Sequence, residues 1–556
     1  MTRAHHAFWP ARLPHAITPP ATALPDNLLV NARRFPDRLA LRFLGHGITY
    51  AELAAQVERL AAWLAQRGVR RGDRVLVGLQ NCPQLVIAHY AIHSANAVVV
   101  PVNPMNKAAE LQHLIDDSGA QLAITSADLA AEWRAAGMPA GGLLVTRLVE
   151  ALPGGRVDGE ALRDLPAGWA DWLHADVALP DGATRWADAL ACAAPPPVTD
   201  VTATDLALLA YTSGTTGNPK ACMHRHRSLQ HNVFAGMLWA NACHEDVVLG
   251  VVPMFHITGM VVVMHGTLAS GACLVLMPRW QREYAARLIA QYRVTRWTNI
   301  PTMVIDLLAS PQVDSFDLGS LVYIGGGGAA MPQPIAERLR QRWGLRYAEG
   351  YGLTETAAPS HSNPHDAPKQ QCLGVPYLSC DARVVDPTTL RELPVGEPGE
   401  IIVNGPMVFE GYWRQPEATA AAFIEFDGRR FFRTGDIGYV DADGYFFMTD
   451  RLKRMINASG FKVWPAEVEN LMHGHPGVAE ACVVAAPDAY RGETVKAFVV
   501  RRAGHEALAE AELRDWCKAH MAAYKVPARI EFADVLPKSG AGKIMWRALQ
   551  EREKPR

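Results

Sequence analysis

The chain has 556 residues, 49% of them apolar and 20% charged, with a formal net charge of -2. Single cores stop growing at about 250–300 residues, so a soluble chain this long divides into two or three domains. The near-neutral balance gives no electrostatic case for binding nucleic acid or an anionic membrane.

The start, Met1-Thr-Arg-Ala-His-His6, runs into a proline-rich stretch and lacks the apolar core of a signal peptide. Residues 26–130 alternate helix and strand. Thr49 is placed to cap a helix whose apolar spacing runs through Leu53, Val57, Leu60 and Leu64. Residues 74–79 and 97–102 read as strands, and this alternation predicts parallel strands covered by helices. Residues 151–200, rich in Pro, Gly, Ala and Trp, read as a loop-rich excursion. Leu206-Ala-Leu-Leu-Ala210 reads as a buried strand, and alternating α/β resumes at 246–350. The apolar run Met260-Val-Val-Val-Met264 is far short of the ~20 residues a bilayer needs, so no integral membrane segment is expected there. From 380 onward, short strands with Gly, Pro and Asp turns predict a small barrel or antiparallel sheet. After the charged tetrad Asp450-Arg-Leu-Lys453, a compact α+β segment runs to the end. The domains are drawn at 1–450 and 451–556. The nine cysteines are scattered without a CxxC pair, which suits reduced thiols in the cytoplasm. Cys222 reads as a passive small residue.

The strand at 206–210 leads into Tyr211-Thr-Ser-Gly-Thr-Thr-Gly-Asn-Pro-Lys220. Glycines let backbone N–H groups turn toward an anion, hydroxyls add donors, and the lysine adds a charge. The spacing of Gly214, Gly217 and Lys220 is not that of a Walker A loop, but the chemistry is that of a phosphate cradle. Farther on, Leu321-Val-Tyr-Ile-Gly-Gly-Gly-Gly-Ala-Ala-Met-Pro332 joins a strand, glycines and a late helix start. Gly325, Gly327 and Ala330 fit a dinucleotide fingerprint, but four consecutive glycines fit many patterns. Flat backbone against a purine and a purely structural turn are the alternatives. In Glu349-Gly-Tyr-Gly-Leu-Thr-Glu355, an aromatic between two glycines suits base stacking. Thr354 and Glu355 offer oxygens suited to Mg²⁺; a helix N-terminal carboxylate is the plainer reading of Glu355. Asp436, in Phe432-Arg-Thr-Gly-Asp436, can accept both hydroxyls of a ribose or simply close a turn. Pro537-Lys-Ser-Gly-Ala-Gly-Lys543 is a second glycine-rich loop with a lysine able to meet a reacting oxygen. His256, in Pro253-Met-Phe-His-Ile-Thr-Gly259, lies among apolar residues, where a lone histidine is ordinarily a satisfied core residue. His224-Arg-His226 and His473-Gly-His475 lack metal-ligand company, and no G-x-S-x-G elbow is present.

Together, the phosphate loop, Tyr351-Gly-Leu-Thr-Glu355, Thr434-Gly-Asp436, Asp450-Arg-Leu-Lys453 and Pro537–Lys543 resemble the adenylate-forming (AMP-binding) superfamily. Its members include acyl-CoA synthetases, luciferases and peptide-synthetase adenylation domains. The similarity runs from about residue 26 to about residue 550, in the family's motif order. It implies an α/β fold: a large N-terminal domain of α/β subdomains plus a small β-barrel, then a small mobile α+β C-terminal domain hinged near Lys453. It implies that a carboxylate attacks the α-phosphate of ATP and that a thiol then displaces AMP. By that analogy Thr212, Ser213, Gly214, Thr215, Thr216, Gly217 and Lys220 hold the β- and γ-phosphates. Gly326, Gly327, Gly328, Tyr351 and Gly352 form the adenine site. Glu355, with Thr354 and Thr215 nearby in role, takes Mg²⁺. Asp436 and Arg451 hold the ribose, Lys543 stabilises the developing charge of adenylation, and His256 gates the acyl-carboxylate site. Gly460 and Lys462 lie near the pantetheine path of CoA. One departure is Ala221-Cys-Met-His-Arg-His-Arg227, where the family often has Gly-Val-x-x-Ser/Thr-His. Pro253–Gly259, Trp297-Thr-Asn-Ile-Pro301 and Gly460-Phe-Lys-Val-Trp-Pro465 look most like bacterial fatty-acyl-CoA ligases.

The resemblance implies ATP, Mg²⁺ and CoA as cofactors and co-substrate, a small carboxylic acid as substrate, and no nucleic acid; a homodimer is compatible with it. The competing enzyme reading is a stand-alone adenylation enzyme for an aryl acid or for loading a carrier protein. A nicotinamide oxidoreductase would use Gly325–Ala330 and leave the other motifs unexplained. A non-catalytic binding module would be expected to have lost Lys220, Glu355 or Lys543, and all three are present.

Overall fold

The computed structural model describes residues 3–212, 219–451, 454, 456–458, 461–463, 465–488, 492–521, 523, 525–538 and 544–553. The chain divides into two compact units, Met1–Asp381 with Val403–Phe432, and Ala382–Ile402 with Arg433–Arg556.

The large unit carries two mainly parallel sheets. The first has seven strands in the order Thr184–Arg185, Leu143–Thr146, Leu122–Ser126, Arg74–Gly78, Val98–Pro101, Leu206–Thr212 and Lys220–Arg225. All pairs are parallel except the last, which is antiparallel. The second has nine strands, with a parallel centre that includes Val247–Gly250, Arg296–Asn299, Tyr323–Gly326 and Tyr347–Leu353. Its central strands are short and mostly buried, as parallel sheets between helices require. The helix Pro83–Ser94 is buried on every side, so it shows no amphipathic stripe and acts as core.

Local signals fold as the sequence dictates. Thr49 Oγ1 accepts from the Glu52 N–H at 3.2 Å, and the Glu52 carboxylate accepts from the Thr49 N–H at 2.8 Å. This capping box opens the helix Tyr50–Gln66 and stabilises it by about 1 kcal/mol. The excursion at 151–200 holds short helices and the two-residue strand Thr184–Arg185, yet it buries Trp169 and Trp186. Among the described residues no helix is long and apolar enough to cross a membrane.

In the second unit, Asp436–Val440 pairs antiparallel with Phe446–Arg451. A separate sheet orders Phe461–Val463, Ile456–Ala458, Gly492–Arg501 and Val478–Asp488, with Arg529–Phe532 parallel on Gly492–Arg501. Helices Pro465–His473, Glu510–His520 and Trp546–Arg552 complete the α+β segment expected there.

Candidate active site

The phosphate-loop segment connects two antiparallel strands. Leu206–Thr212 leaves the seven-stranded sheet beside Val98–Pro101 and returns as Lys220–Arg225, with Thr212 opposite Lys220. The Tyr211 hydroxyl donates to Asp117 at 2.6 Å and fixes the outgoing strand. Thr212 and Lys220 are both half-buried at the mouth of the turn. Ser213, Gly214, Thr215, Thr216 and Gly217 lie outside the described residues. The Lys220 ammonium sits 5.2 Å from the ring centroid of Tyr412.

The glycine run ends the strand Tyr323–Gly326, which lies between Arg296–Asn299 and Tyr347–Leu353. A Cβ on Gly326 would fall 1.7 Å from the Asn299 carbonyl oxygen, and one on Gly352 would fall 1.8 Å from that of Ala358. No side chain fits at either place, so the glycines are demanded by backbone packing whatever they bind. Gly327 is half-buried, while Gly328 and Gly352 are exposed. Tyr351 is 8% exposed, its ring 5.6 Å from that of His361. Glu349, on the same strand, has a buried carboxylate that accepts from Met331 N–H at 3.1 Å and Gln371 N–H at 2.6 Å. Burial pushes its carboxyl up to about 7 despite those bonds. Glu349 thereby ties the residue after the glycine run to the strand that carries Tyr351.

Glu355 lies in the short turn Thr354–Thr356, half-buried. Four groups from distant segments fix this turn. The Tyr412 hydroxyl donates to Glu355 Oε1 at 2.9 Å, and the Phe409 N–H donates to the Glu355 carbonyl at 2.8 Å. His224 Nε2 lies 2.7 Å from the Thr354 carbonyl oxygen, which can only accept, so Nε2 carries the proton. Desolvation holds this buried imidazole down to about 4, so it is neutral at pH 7. Asn232 Nδ2 reaches the carbonyls of Thr356, Ala357 and Pro359 at 3.0, 2.9 and 3.1 Å. These bonds hold Ala357 and Ala358 at φ of 51° and 82°, a region alanine rarely occupies. Strain of this kind persists only where surroundings over-determine it, and it clusters at functional sites.

Sequence reasoning missed Tyr412, His224 and Asn232. The departure at His224 was visible, but nothing local showed that it reaches a carbonyl 130 positions away.

One carboxylate joined through Tyr412 to a lysine is a donor set that fits Mg²⁺, which keeps several waters and binds through one or two carboxylates plus phosphates. Among the described residues no three His, Cys, Asp or Glu side chains converge as a metal cage.

His256 departs from the expected core position: it is exposed. The chain doubles back here, so that a Cβ on Gly259 would lie 2.3 Å from the Pro253 carbonyl oxygen. That turn carries His256 outward, its ring 4.4 Å from that of Phe255, just before the wide helical turn Thr258–His265. An exposed imidazole on a tight turn suits a gate better than a core position does.

In the second unit, Asp436 is buried and its N–H donates to Thr434 Oγ1 at 3.1 Å. Thr434 Oγ1 in turn donates to the Ile401 carbonyl at 2.6 Å. Arg451 stands opposite Asp436 in the strand register, and Lys462 opposite Asn457; neither side chain is among those described. Lys453, Gly460 and Lys543 lie outside the described residues. The segment holding Lys543 is bracketed by an antiparallel bridge between Lys538 and Ile544.

A family model described as AMP-binding enzyme matches residues 28–413, and one for the AMP-binding enzyme C-terminal domain matches residues 467–543. The chain is 34% identical over 556 residues to a long-chain-fatty-acid–CoA ligase of Bacillus subtilis, covering 98% of this chain and 97% of that one. It is 37% identical over 524 residues to a feruloyl-CoA synthase of an Amycolatopsis species, covering 94% of this chain and 97% of that one. Its fold matches the crystal structure of ATP-bound MatB from Rhodopseudomonas palustris with a TM-score of 0.78 and 30% identity, over 95% of this chain and 98% of that one. The family model covers the hairpin that carries Lys220, the glycine-bearing strands and the braced Glu355 turn, and the chain belongs to the AMP-binding enzyme family.

Proposed function

We propose that the protein is an ATP-dependent acyl-CoA ligase that activates a carboxylic acid, a fatty acid in the first instance, as an acyl-adenylate. The acid's carboxylate oxygen attacks the α-phosphorus of ATP, and the bond to the pyrophosphate leaving group breaks. The thiol of CoA then attacks the acyl carbonyl; the C–O bond to AMP breaks, and AMP leaves with the electron pair. The observation that carries this reading is one tyrosine joining the phosphate-loop lysine and the Glu355 carboxylate, Lys220 at 5.2 Å and Glu355 at 2.9 Å.

In this reading Thr212, Ser213, Gly214, Thr215, Thr216, Gly217 and Lys220 hold the β- and γ-phosphates by backbone N–H groups, hydroxyls and one ammonium. Gly326, Gly327, Gly328, Tyr351 and Gly352 face the adenine. Asp436, Arg451 and Lys453 serve the ribose side, and Gly460 and Lys462 the CoA side. Lys543 meets the charge that develops during adenylation, and His256 gates the carboxylate. Glu355, with Thr354 and Thr215, would hold Mg²⁺, which when bound offsets phosphate charge. The domain boundary at residue 450 with a hinge at Lys453 is part of the same proposal. We place the protein in the cytoplasm, a reading supported by nine free cysteines; a homodimer is compatible with it.

An aryl acid is the second reading, favoured by the 37% identity to a feruloyl-CoA synthase. The test is a screen of acids from acetate to palmitate, with benzoate and cinnamate, for CoA thioester formation with ATP and Mg²⁺. Thioester from the longer aliphatic acids supports the first reading and from cinnamate the second. Thioester from none of them, in folded protein, would contradict ligase activity.

A further inference from the structure

The segment 410–413 lies against the returning strand of the phosphate hairpin, Lys220–Arg225. Glu410 N–H donates to Met223 O at 3.0 Å, Met223 N–H to Gly411 O at 3.0 Å, and Trp413 N–H to Ala221 O at 2.9 Å. Cys222 and Tyr412 form the bridge between them. The Tyr412 N–H is held by Thr419 Oγ1 at 2.9 Å, and the indole of Trp413 donates to Asp117 O at 3.1 Å. The backbone at Tyr412 is thus fixed to the strand that begins at Lys220.

We infer that Tyr412 is a positioning residue that sets the charge geometry of the phosphate site, its ring seating the Lys220 ammonium and its hydroxyl orienting the Glu355 carboxylate. This rests on the roles given above to Lys220 and Glu355. The geometry is that of a two-ended spacer. The negative face of the ring attracts a cation within about 6 Å, and the Lys220 Nζ lies 5.2 Å from the centroid. At the other end the phenol O–H donates to Glu355 Oε1 at 2.9 Å. A phenol ordinarily ionises at about pH 10, so at neutral pH this hydroxyl is a donor. A rigid phenol between the two groups keeps lysine and carboxylate from collapsing into a direct ion pair, which would neutralise both before a nucleotide arrives. It also leaves the second carboxylate oxygen aimed by a fixed hinge rather than by a free rotor.

The two ends separate experimentally. Tyr412→Phe removes only the hydroxyl; Tyr412→Leu removes the ring as well; Glu355→Ala is the reference. Each full-length variant is checked by melting temperature. Mn²⁺ binding is titrated by electron paramagnetic resonance with a non-hydrolysable ATP analogue present. Affinity for the same analogue is measured separately in EDTA by calorimetry. Tyr412→Phe is expected to weaken Mn²⁺ binding about tenfold, the usual effect of one lost hydrogen bond to an ion, with metal-free nucleotide affinity within about twofold of wild type. Tyr412→Leu is expected to weaken both; if it does not fold, Tyr412→Gln replaces it. Wild-type Mn²⁺ affinity in Tyr412→Phe, with Mn²⁺ binding lost in Glu355→Ala, overturns the inference alone. Unchanged metal-free affinity in the ringless variant overturns its Lys220 half. Wild-type Mn²⁺ affinity in Glu355→Ala overturns the assignment of Glu355 and the inference with it.

Discussion

Glu349, on the strand that carries Tyr351, makes native stability sensitive to pH in a way that can be worked through. The carboxyl is 5% exposed, and its pKa lies at about 7 against an ordinary 4.5. An acid whose folded pKa is raised binds a proton more tightly in the native state. Its contribution is therefore complete below pH 4.5 and is lost as pH rises through 7. In that window native stability falls by about 1.4 kcal/mol per pH unit, roughly 3 kcal/mol in all. Glu349→Gln removes the titration. It also sets an amide NH₂ against one of the backbone donors, Met331, Gln371 or Cys372, so it costs about 1–2 kcal/mol at acid pH. The diagnostic quantity is the slope, not the level. Melting temperature should decline between pH 5 and 8 more steeply in the wild type than in Glu349→Gln, and the two curves should cross, the wild type being the more stable at pH 5 and the less stable at pH 8. Because Met331 follows the glycine run, ATP affinity should weaken over the same interval in the wild type and less so in the variant. Parallel melting curves over that range would show that Glu349 is already ionised at pH 5 and would refute the argument.

Two further predictions concern residues that the sequence alone assigns. Lys543→Ala should reduce adenylation by ~10²–10³-fold, the usual loss of one preorganised charge, while sparing thioester formation from pre-made acyl-adenylate; equal loss in both half-reactions would remove it from the adenylation step. Lys453→Pro fixes one φ and deletes an N–H at the proposed pivot, so acyl-adenylate should still form while its transfer to CoA falls steeply. Normal rates in both half-reactions would move the hinge elsewhere.

What the sequence made legible was local. The strand before the phosphate loop, the capping box at Thr49, the strand before the glycine run and the helix after Pro332 are all set by neighbours within a few residues, and each is found. What it hid was assembled across the fold. Tyr412 meets Glu355 across 57 positions, and Asn232 meets Pro359 across 127. No periodicity or spacing encodes those distances, because the sheet order that creates them is a tertiary choice. The glycines at 326 and 352 were legible as unusual, but their steric reason, carbonyls of Asn299 and Ala358 where a Cβ would be, belongs to strands the motif does not contain. His256 is exposed although its apolar neighbours, Met254 and Ile257, are buried, an arrangement set by the turn and not by the local composition.

The central claim is that this chain activates its acid as an adenylate on the Lys220–Tyr412–Glu355 site. The direct measurement is the nucleotide formed from ATP, with Mg²⁺ and an accepted acid, resolved by chromatography beside acid-dependent exchange of labelled pyrophosphate into ATP without CoA. The account predicts AMP and pyrophosphate as products, exchange that requires the acid, and loss of exchange in Glu355→Ala. ADP and phosphate as the sole products, or exchange indifferent to the acid, would contradict it.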